Sequence, residues 1–356
     1  MAYLDANATE PLRPEARAAV LAALDLAGNP ASVHAAGRAA RRVLEDARTT
    51  IAARFGARAE NVVFTSGGTE ANMLAIAGLS VARRVIVGAT EHDAVRAAAS
   101  GAEVLPVDAD GTADLDALAR ILAGPPALVC LMLANNETGT LQPVADAVAL
   151  CRRHGALLHV DAVQAAGRME TSLAALGADS MALSSHKLGG PKGAGALLLA
   201  PGREIAAVIR GGGQERGRRG GTPALPCIAG FAAAATLPRP HLRPMRDAAE
   251  AHAMRCGAVV LGGSRRLPNT ACLALPGVRA DTQVIALDLA GVAVSAGAAC
   301  SSGKVARSHV LDAMGTGALA GEAIRVSLPW DATWDDVQAF QDAYGAMAAR
   351  LAKRAA

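Results

Sequence analysis

Between about residues 14 and 200, helix-like stretches alternate with short apolar runs. In the former, apolar residues recur every three or four positions; the latter are rich in Val, Leu and Ile. The helical pattern falls near 14–26, 37–55, 69–79, 92–100, 112–123 and 143–154. Strand-like runs lie between: Val62–Thr65, Val85–Val87, Val104–Val107, Leu128–Leu133, Leu157–Val160, Met181–Leu183 and Ala196–Leu199. Such alternation predicts an α/β fold, a mostly parallel mixed sheet with helices on both faces. The glycine- and arginine-rich segment 211–221 cannot pack as an element, and prolines at 238, 240 and 244 mark a boundary near 236–245. Beyond it the pattern predicts a helix near 245–261, strands near 270–275 and 292–295, and a final helix near 333–353 with Asp335-Asp336 in its first turn. The expected organisation is a large domain over 14–236. Residues 1–13 and 237–356 are expected to form a smaller α+β domain.

Composition changes this picture in few places. Aromatic residues make up only 2% of the chain, so its cores must be built from Ala, Val, Leu and Ile. Net charge is 35 − 32 = +3, which offers no general attraction for nucleic acid. No apolar run approaches the roughly 18 residues of a membrane span, and the opening Met1-Ala2-Tyr3 does not read as a signal peptide, so no membrane partner is expected. The six cysteines are scattered, without a C-x-x-C pair or metal-ligand spacing, which suggests a reduced, cytoplasmic setting and no metal.

Chemistry gathers just after the strand-like runs. One run ends His159-Val160-Asp161 with Gln164 beyond; a later one leads into Ser184-Ser185-His186-Lys187. A lysine that can form a Schiff base and an aspartate that can keep a pyridine nitrogen protonated are what pyridoxal 5′-phosphate requires. In parallel strands both would emerge at the carboxyl edge of one sheet, where open α/β folds bind ligands. Thr65-Ser66-Gly67-Gly68-Thr69-Glu70 has the strand–turn–helix form that presents amides to an anion, though it also reads as an ordinary helix cap. His92 and Asn136 likewise follow strands; alone, each reads as well as a structural residue. Together these positions describe one crevice.

In order and spacing these motifs resemble the cysteine desulfurases of the class-V aminotransferase group. The similarity runs from Tyr3-Leu4-Asp5 through Asn29-Pro30-Ala31-Ser32, Thr90-Glu91-His92, Asn135-Asn136-Glu137 and Gly211-Gly212-Gly213 to Ser295–Ser302. The resemblance implies the fold type I architecture of pyridoxal-phosphate enzymes. It implies that Lys187 carries the cofactor, that Asp161 pairs with the ring nitrogen and Gln164 with the phenolic oxygen, and that His92 stacks on the ring. Gly68, Thr69, Ser184 and His186 would hold the phosphate, and Thr222 would reach the phosphate site of a second subunit in a homodimer. Asn136, Arg325 and Asn29 would hold the substrate, with Arg325 gripping its carboxylate. The Gly/Arg-rich 211–221 segment then reads as a dimer-interface loop and not as an RNA contact.

Cys300 names the reaction that the resemblance implies. It sits in Ser295–Gly303, built almost wholly of Gly, Ala and Ser, with Lys304 and Arg307 nearby to lower its pKa. Its thiolate would take sulfur from L-cysteine, releasing L-alanine and leaving a persulfide for an acceptor such as an iron–sulfur scaffold. A selenocysteine lyase or another class-V enzyme is the alternative. Glu10, Gly68 and Ser327-Leu328-Pro329-Trp330 depart from the family's usual residues.

Overall fold

The computed structural model describes residues 1–297 and 307–355, with side chains as far as Leu351. Cys300 and Lys304 lie outside the described residues. Strand β1 (Ala2–Tyr3) opens the chain. The central sheet follows: β2 (Val62–Thr65), β3 (Arg84–Gly88), β4 (Glu103–Leu105), β5 (Ala127–Met132), β6 (Leu157–Asp161), β7 (Ser180–Ser184) and β8 (Gly195–Leu199). Its order is β2-β8-β7-β6-β5-β3-β4. β8 runs antiparallel to both neighbours, and every other pairing is parallel. Consequently β2, β3, β5, β6 and β7 point the same way, and Thr65, Gly88, Met132, Asp161 and Ser184 share one edge.

Helices cover both faces. Pro14–Leu24, Ala35–Phe55, Leu115–Leu122, Val144–Arg153 and Leu225–Ala235 contribute to one core, while Gly68–Leu79 and Asp93–Ala98 pack on the other face. Strands β5 to β8 are buried at every position. This is why they read as continuous apolar runs and not as alternating ones. The helix Leu225–Ala235 packs against Pro14–Leu24 and Ala35–Phe55. Among the described residues no helix is long and apolar enough to cross a membrane.

A second, antiparallel sheet follows: β9 (Val259–Leu261), β10 (Thr270–Ala274), β12 (Ser295–Ala296) and β13 (Ala323–Ser327), in the order β12-β13-β10-β9. β11 (Val292–Ala293) pairs in parallel with β1. The expected helix over 245–261 is observed as Arg243–Arg255. It stops because Gly257 takes a φ of +93°, and the apolar residues beyond it form β9. The final helix runs Trp334–Ala355 and packs with Arg243–Arg255 beside β10. Strand β13 and the helix Ala280–Leu289 are elements the hydrophobic pattern did not announce.

The first thirteen residues bridge the two sheets. Leu4 exchanges backbone hydrogen bonds with Ala293 and Ser327, whereas the amides of Glu10 and Arg13 donate to the carbonyls of His186 and Gly189. Far from that crossing, Arg48 forks onto Glu215 at 2.7 and 2.9 Å, and Glu215 also accepts from the amide of Phe64 at 2.8 Å. Both side chains are buried. Because removing one partner strands a buried charge, Glu215→Ala should cost about 3–5 kcal/mol of stability, measured by urea unfolding of the cofactor-free protein. A loss below about 1 kcal/mol would show that water compensates Arg48.

Candidate active site

The shared strand edge opens into a cleft of about 230 Å³. Gly68 and Thr69 reach it from the turn after β2, His92 from the turn after β3 and Asn136 from beyond β5. Asp161 and Gln164 enter from the end of β6, and Ser184, His186 and Lys187 from the end of β7. A larger hollow of about 710 Å³ lies at the opposite end of the strands, near Ala156–Leu158 and Leu199–Arg203, and contains none of these residues.

Asp161 is held by a buried chain of hydrogen bonds. Asn72 Nδ2 donates to its Oδ2 at 2.7 Å, and the amide of Val163 donates to Oδ1 at 2.9 Å. Asn72 therefore turns Oδ1 toward His159 Nε2, 2.9 Å away, and His159 Nδ1 lies 2.7 Å from the Ser180 hydroxyl. This arrangement makes Nε2 the protonated nitrogen of His159, whose burial pushes its pKa down to about 3. A neutral relay thus orients the carboxylate without neutralising it. Asn72 and His159 were not singled out in the sequence for any role. The available signal was a polar residue within the apolar helix Gly68–Leu79, three positions after Thr69 and so on the same face.

Lys187 Nζ donates to the carbonyls of Ala8, at 2.8 Å, and Asn7. Burial, with the charges of Arg168 and Arg325, brings its pKa down to about 7. A large share of the amine is therefore free of its proton near neutrality, as attack on a carbonyl requires. His186 Nδ1 sits 3.2 Å from Thr9 Oγ1, and burial beside Lys187 lowers its pKa to about 4. His92 caps the helix Asp93–Ala98, its Nδ1 accepting from the amide of Ala94 at 3.0 Å, which leaves the proton on Nε2. Gly68 lies close under Val163: a Cβ there would meet Val163 Cγ2 at 2.7 Å, which accounts for one departure from the family's usual residues.

The remaining expected residues lie elsewhere. Arg325 is buried on β13, where Nη2 donates to Asp5 at 2.7 Å and Nη1 to the carbonyl of Asn136 at 3.1 Å. Asn29 lines a separate recess with Arg48 and Gly212–Arg216, and Thr222 lines another with Ser66 and Arg219. Among the described residues, no cluster of His, Cys, Asp and Glu could hold a metal ion.

Residues 2–340 match the class-V aminotransferase family. The chain belongs to that family, among its cysteine desulfurases. It is 43% identical to a cysteine desulfurase of Cereibacter sphaeroides over 348 residues, covering 92% of this chain and 90% of the relative. It is 38% identical to an IscS-like cysteine desulfurase of Mycobacterium tuberculosis over 386 residues, 100% and 98% of the two chains. Among solved structures, a NifS-like protein from Rickettsia africae superposes with a TM-score of 0.90 at 32% identity, covering 98% of this chain and 99% of that one. A structure of SspA in complex with cysteine superposes with a TM-score of 0.82 at 28% identity, covering 93% and 99%. The expected fold and the dependence on pyridoxal phosphate are thereby met. The cleft fits that cofactor, with a deprotonatable lysine, a fixed carboxylate and a side-chain-free approach at Gly68 together at one edge.

Three outcomes follow from this geometry. Asn72→Ala should weaken retention of pyridoxal phosphate about 10- to 100-fold, the worth of one hydrogen bond to a charged group, measured by titrating cofactor-free protein; unchanged affinity would remove Asn72 from the site. Lys187 is one of only four lysines, so its labelling by an amine reagent can be followed by mass. Its reactivity should rise through pH 7 and level off above, whereas exposed lysines respond nearer 10.5. A depressed lysine pKa opposes folding below about 7, and that cost disappears as pH rises toward 10.5, so Lys187→Met should stabilise the cofactor-free protein more at pH 6 than at pH 10.

Proposed function

We propose that this cysteine desulfurase works through Cys300, in a homodimer whose subunits complete each other's sites. Pyridoxal phosphate, when bound, supplies an electron sink for the substrate's carbon skeleton. Asp161 holds the charge that sink needs, Gln164 presents a hydrogen-bond donor and His92 covers a ring face. Gly68, Thr69, Ser184 and His186 bind the phosphate. Lys187 anchors the cofactor and, with a pKa near neutrality, moves the substrate's proton. Asn136 and Arg325 bind the substrate, Arg325 by exchanging its contact with Asp5 for the substrate carboxylate. The Cys300 thiolate attacks the sulfur of L-cysteine. The carbon–sulfur bond breaks, a sulfur–sulfur bond forms on Cys300, and the carbon takes a proton to become L-alanine.

The observation that carries the assignment of Cys300 is that Glu137 holds one flank of its segment by a hydrogen bond and packs closely against the other. Ser308 Oγ donates to Glu137 Oε2 at 2.5 Å, and a Cβ at Gly297 would come within 2.6 Å of the same oxygen. His309 Nε2 lies 3.0 Å from the carbonyl of Glu91. The described residues after Cys300 are therefore hydrogen-bonded to the loops that carry Asn136 and His92, and Gly297 before it lies against the first of them. Thr222 lies outside its own chain's cleft, and Val33, Val208 and Ile209 expose apolar side chains, which supports the homodimer. Asn29, in its recess beside Gly212–Arg216, lies apart from its own chain's cleft and would serve the partner's substrate site. Cys130, Cys151, Cys227, Cys256 and Cys272 are free, in keeping with a reduced cytoplasmic setting. The sulfur goes to an acceptor protein such as an iron–sulfur scaffold.

Cys300→Ala should keep the cofactor and still show a spectral change with L-cysteine, but release neither alanine nor sulfide above background. In the unaltered enzyme L-cysteine should leave a reductant-labile sulfur on the peptide containing Cys300. Sulfur on another cysteine would overturn the nucleophile, and turnover of selenocysteine alone would make the enzyme a lyase. Light scattering should give twice the chain mass, and Thr222→Ala should weaken cofactor binding about 10- to 100-fold.

A further inference from the structure

Two of the chain's departures from its family, Glu10 and Trp330, meet in the structure and lead to a third residue. Glu10 Oε2 accepts from the amide of Trp330 at 3.1 Å, and Trp330 Nε1 donates to the carbonyl of Pro11 at 2.9 Å. The guanidinium of Arg13 lies over the Trp330 ring, 4.6 Å from its centroid. The other oxygen of Glu10 accepts from Arg168 Nη2 at 3.2 Å. Glu10 and Arg168 are both buried, at 8% and 5% exposure. A buried guanidinium needs a countercharge, and Glu10 is the one paired with it.

Nη1 of Arg168 turns instead to Gln164, a residue of the cleft. Nη2 donates to the carbonyl of Ala6 at 3.1 Å, and Nη1 to the carbonyl of Gln164 at 3.0 Å and to the Gln164 side-chain oxygen. A carboxamide can present either its oxygen or its nitrogen, but a guanidinium can only donate. Gln164 lines the cleft; Arg168 captures its amide oxygen and so leaves Nε2 to donate, which it does to the carbonyl of Asn7 at 3.1 Å. We propose that Arg168, balanced by Glu10, is a positioning residue that makes Gln164 a donor-only group toward an anionic oxygen of the cofactor. The inference rests on the reading of Gln164 as a cofactor residue.

Arg168 also carries a charge that acts on Lys187, as do Arg325, Asp5 and Asp161, so the test must separate charge from orientation. The readout is the pH midpoint of the bound cofactor's visible absorption, with melting of each cofactor-free variant as the check on folding. Gln164→Ala should raise that midpoint by about one unit, the effect of losing one charge-assisted hydrogen bond to the anionic oxygen. Arg168→Leu should raise it at least as much, through lost orientation and lost charge, and adding it to Gln164→Ala should raise it by clearly less than Arg168→Leu does alone, because the orienting part acts through Gln164. Arg168→Lys keeps the charge but not the fork. It should shift the midpoint in the same direction by a smaller amount, again only when Gln164 is present, and it serves if Arg168→Leu does not fold. Additive shifts would overturn the proposal in favour of a direct charge effect. No shift with Arg168→Leu or Arg168→Lys, while Gln164→Ala shifts, would overturn the positioning role and leave Gln164 in place. No shift with Gln164→Ala would overturn both.

Discussion

The carbonyl oxygen of Asn7 accepts from Gln164 Nε2 and from Lys187 Nζ, and much of the site depends on where that one residue is held. Its amide donates to Ser327 Oγ, and its side chain donates to Thr270 Oγ1 and to the carbonyl of Asn136. Asn7 thus touches the second sheet, at β10 and β13, and the three cleft loops that follow β5, β6 and β7. The segment can do this because its first residues pair as a strand with β11, while the amides of Glu10 and Arg13 are taken by the loop after β7. A crossing segment buried on both sides must satisfy every backbone group it carries. Each hydrogen bond it makes fixes one sheet against the other.

The same crossing explains the concentration of buried charge. Arg168 with Glu10 and Arg325 with Asp5 are both pairs between the first ten residues and a distant element. Such pairs add little net stability once desolvation is counted, but a wrong arrangement that separates them is heavily penalised. Three of these four charges act on Lys187: burial, Arg168 and Arg325 bring its amine toward neutrality, and Asp5 opposes them. Alignment of the two sheets and activation of the lysine are therefore coupled through the same side chains.

Much of the fold was legible because parallel strands buried on both faces must be apolar throughout, and the helices between them must be amphipathic. The seven runs of the central sheet were visible for that reason. β13 was not, because Ala323–Ser327 interrupts its apolar residues with Arg325, whose charge is satisfied only by Asp5 and Asn136 from far away in the chain. β9 was merged into the preceding helix, since three apolar residues continue either period and only the backbone turn at Gly257 separates them.

The site divides along the same line. Residues that follow strands in sequence, such as Asp161 and Lys187, could be found because the parallel sheet carries every such end to one edge. By itself, then, the sequence determined the sheet, its chemical edge and the motifs of a pyridoxal-phosphate enzyme. The tertiary structure decided which neighbours orient those motifs: Asn72 and His159 behind Asp161, Arg168 behind Gln164, Asp5 on Arg325. These partners share neither a period nor a spacing with the residues they serve. Their identity depends on hydrogen-bond geometry between segments that only folding brings together, where an unmatched buried polar group is costly.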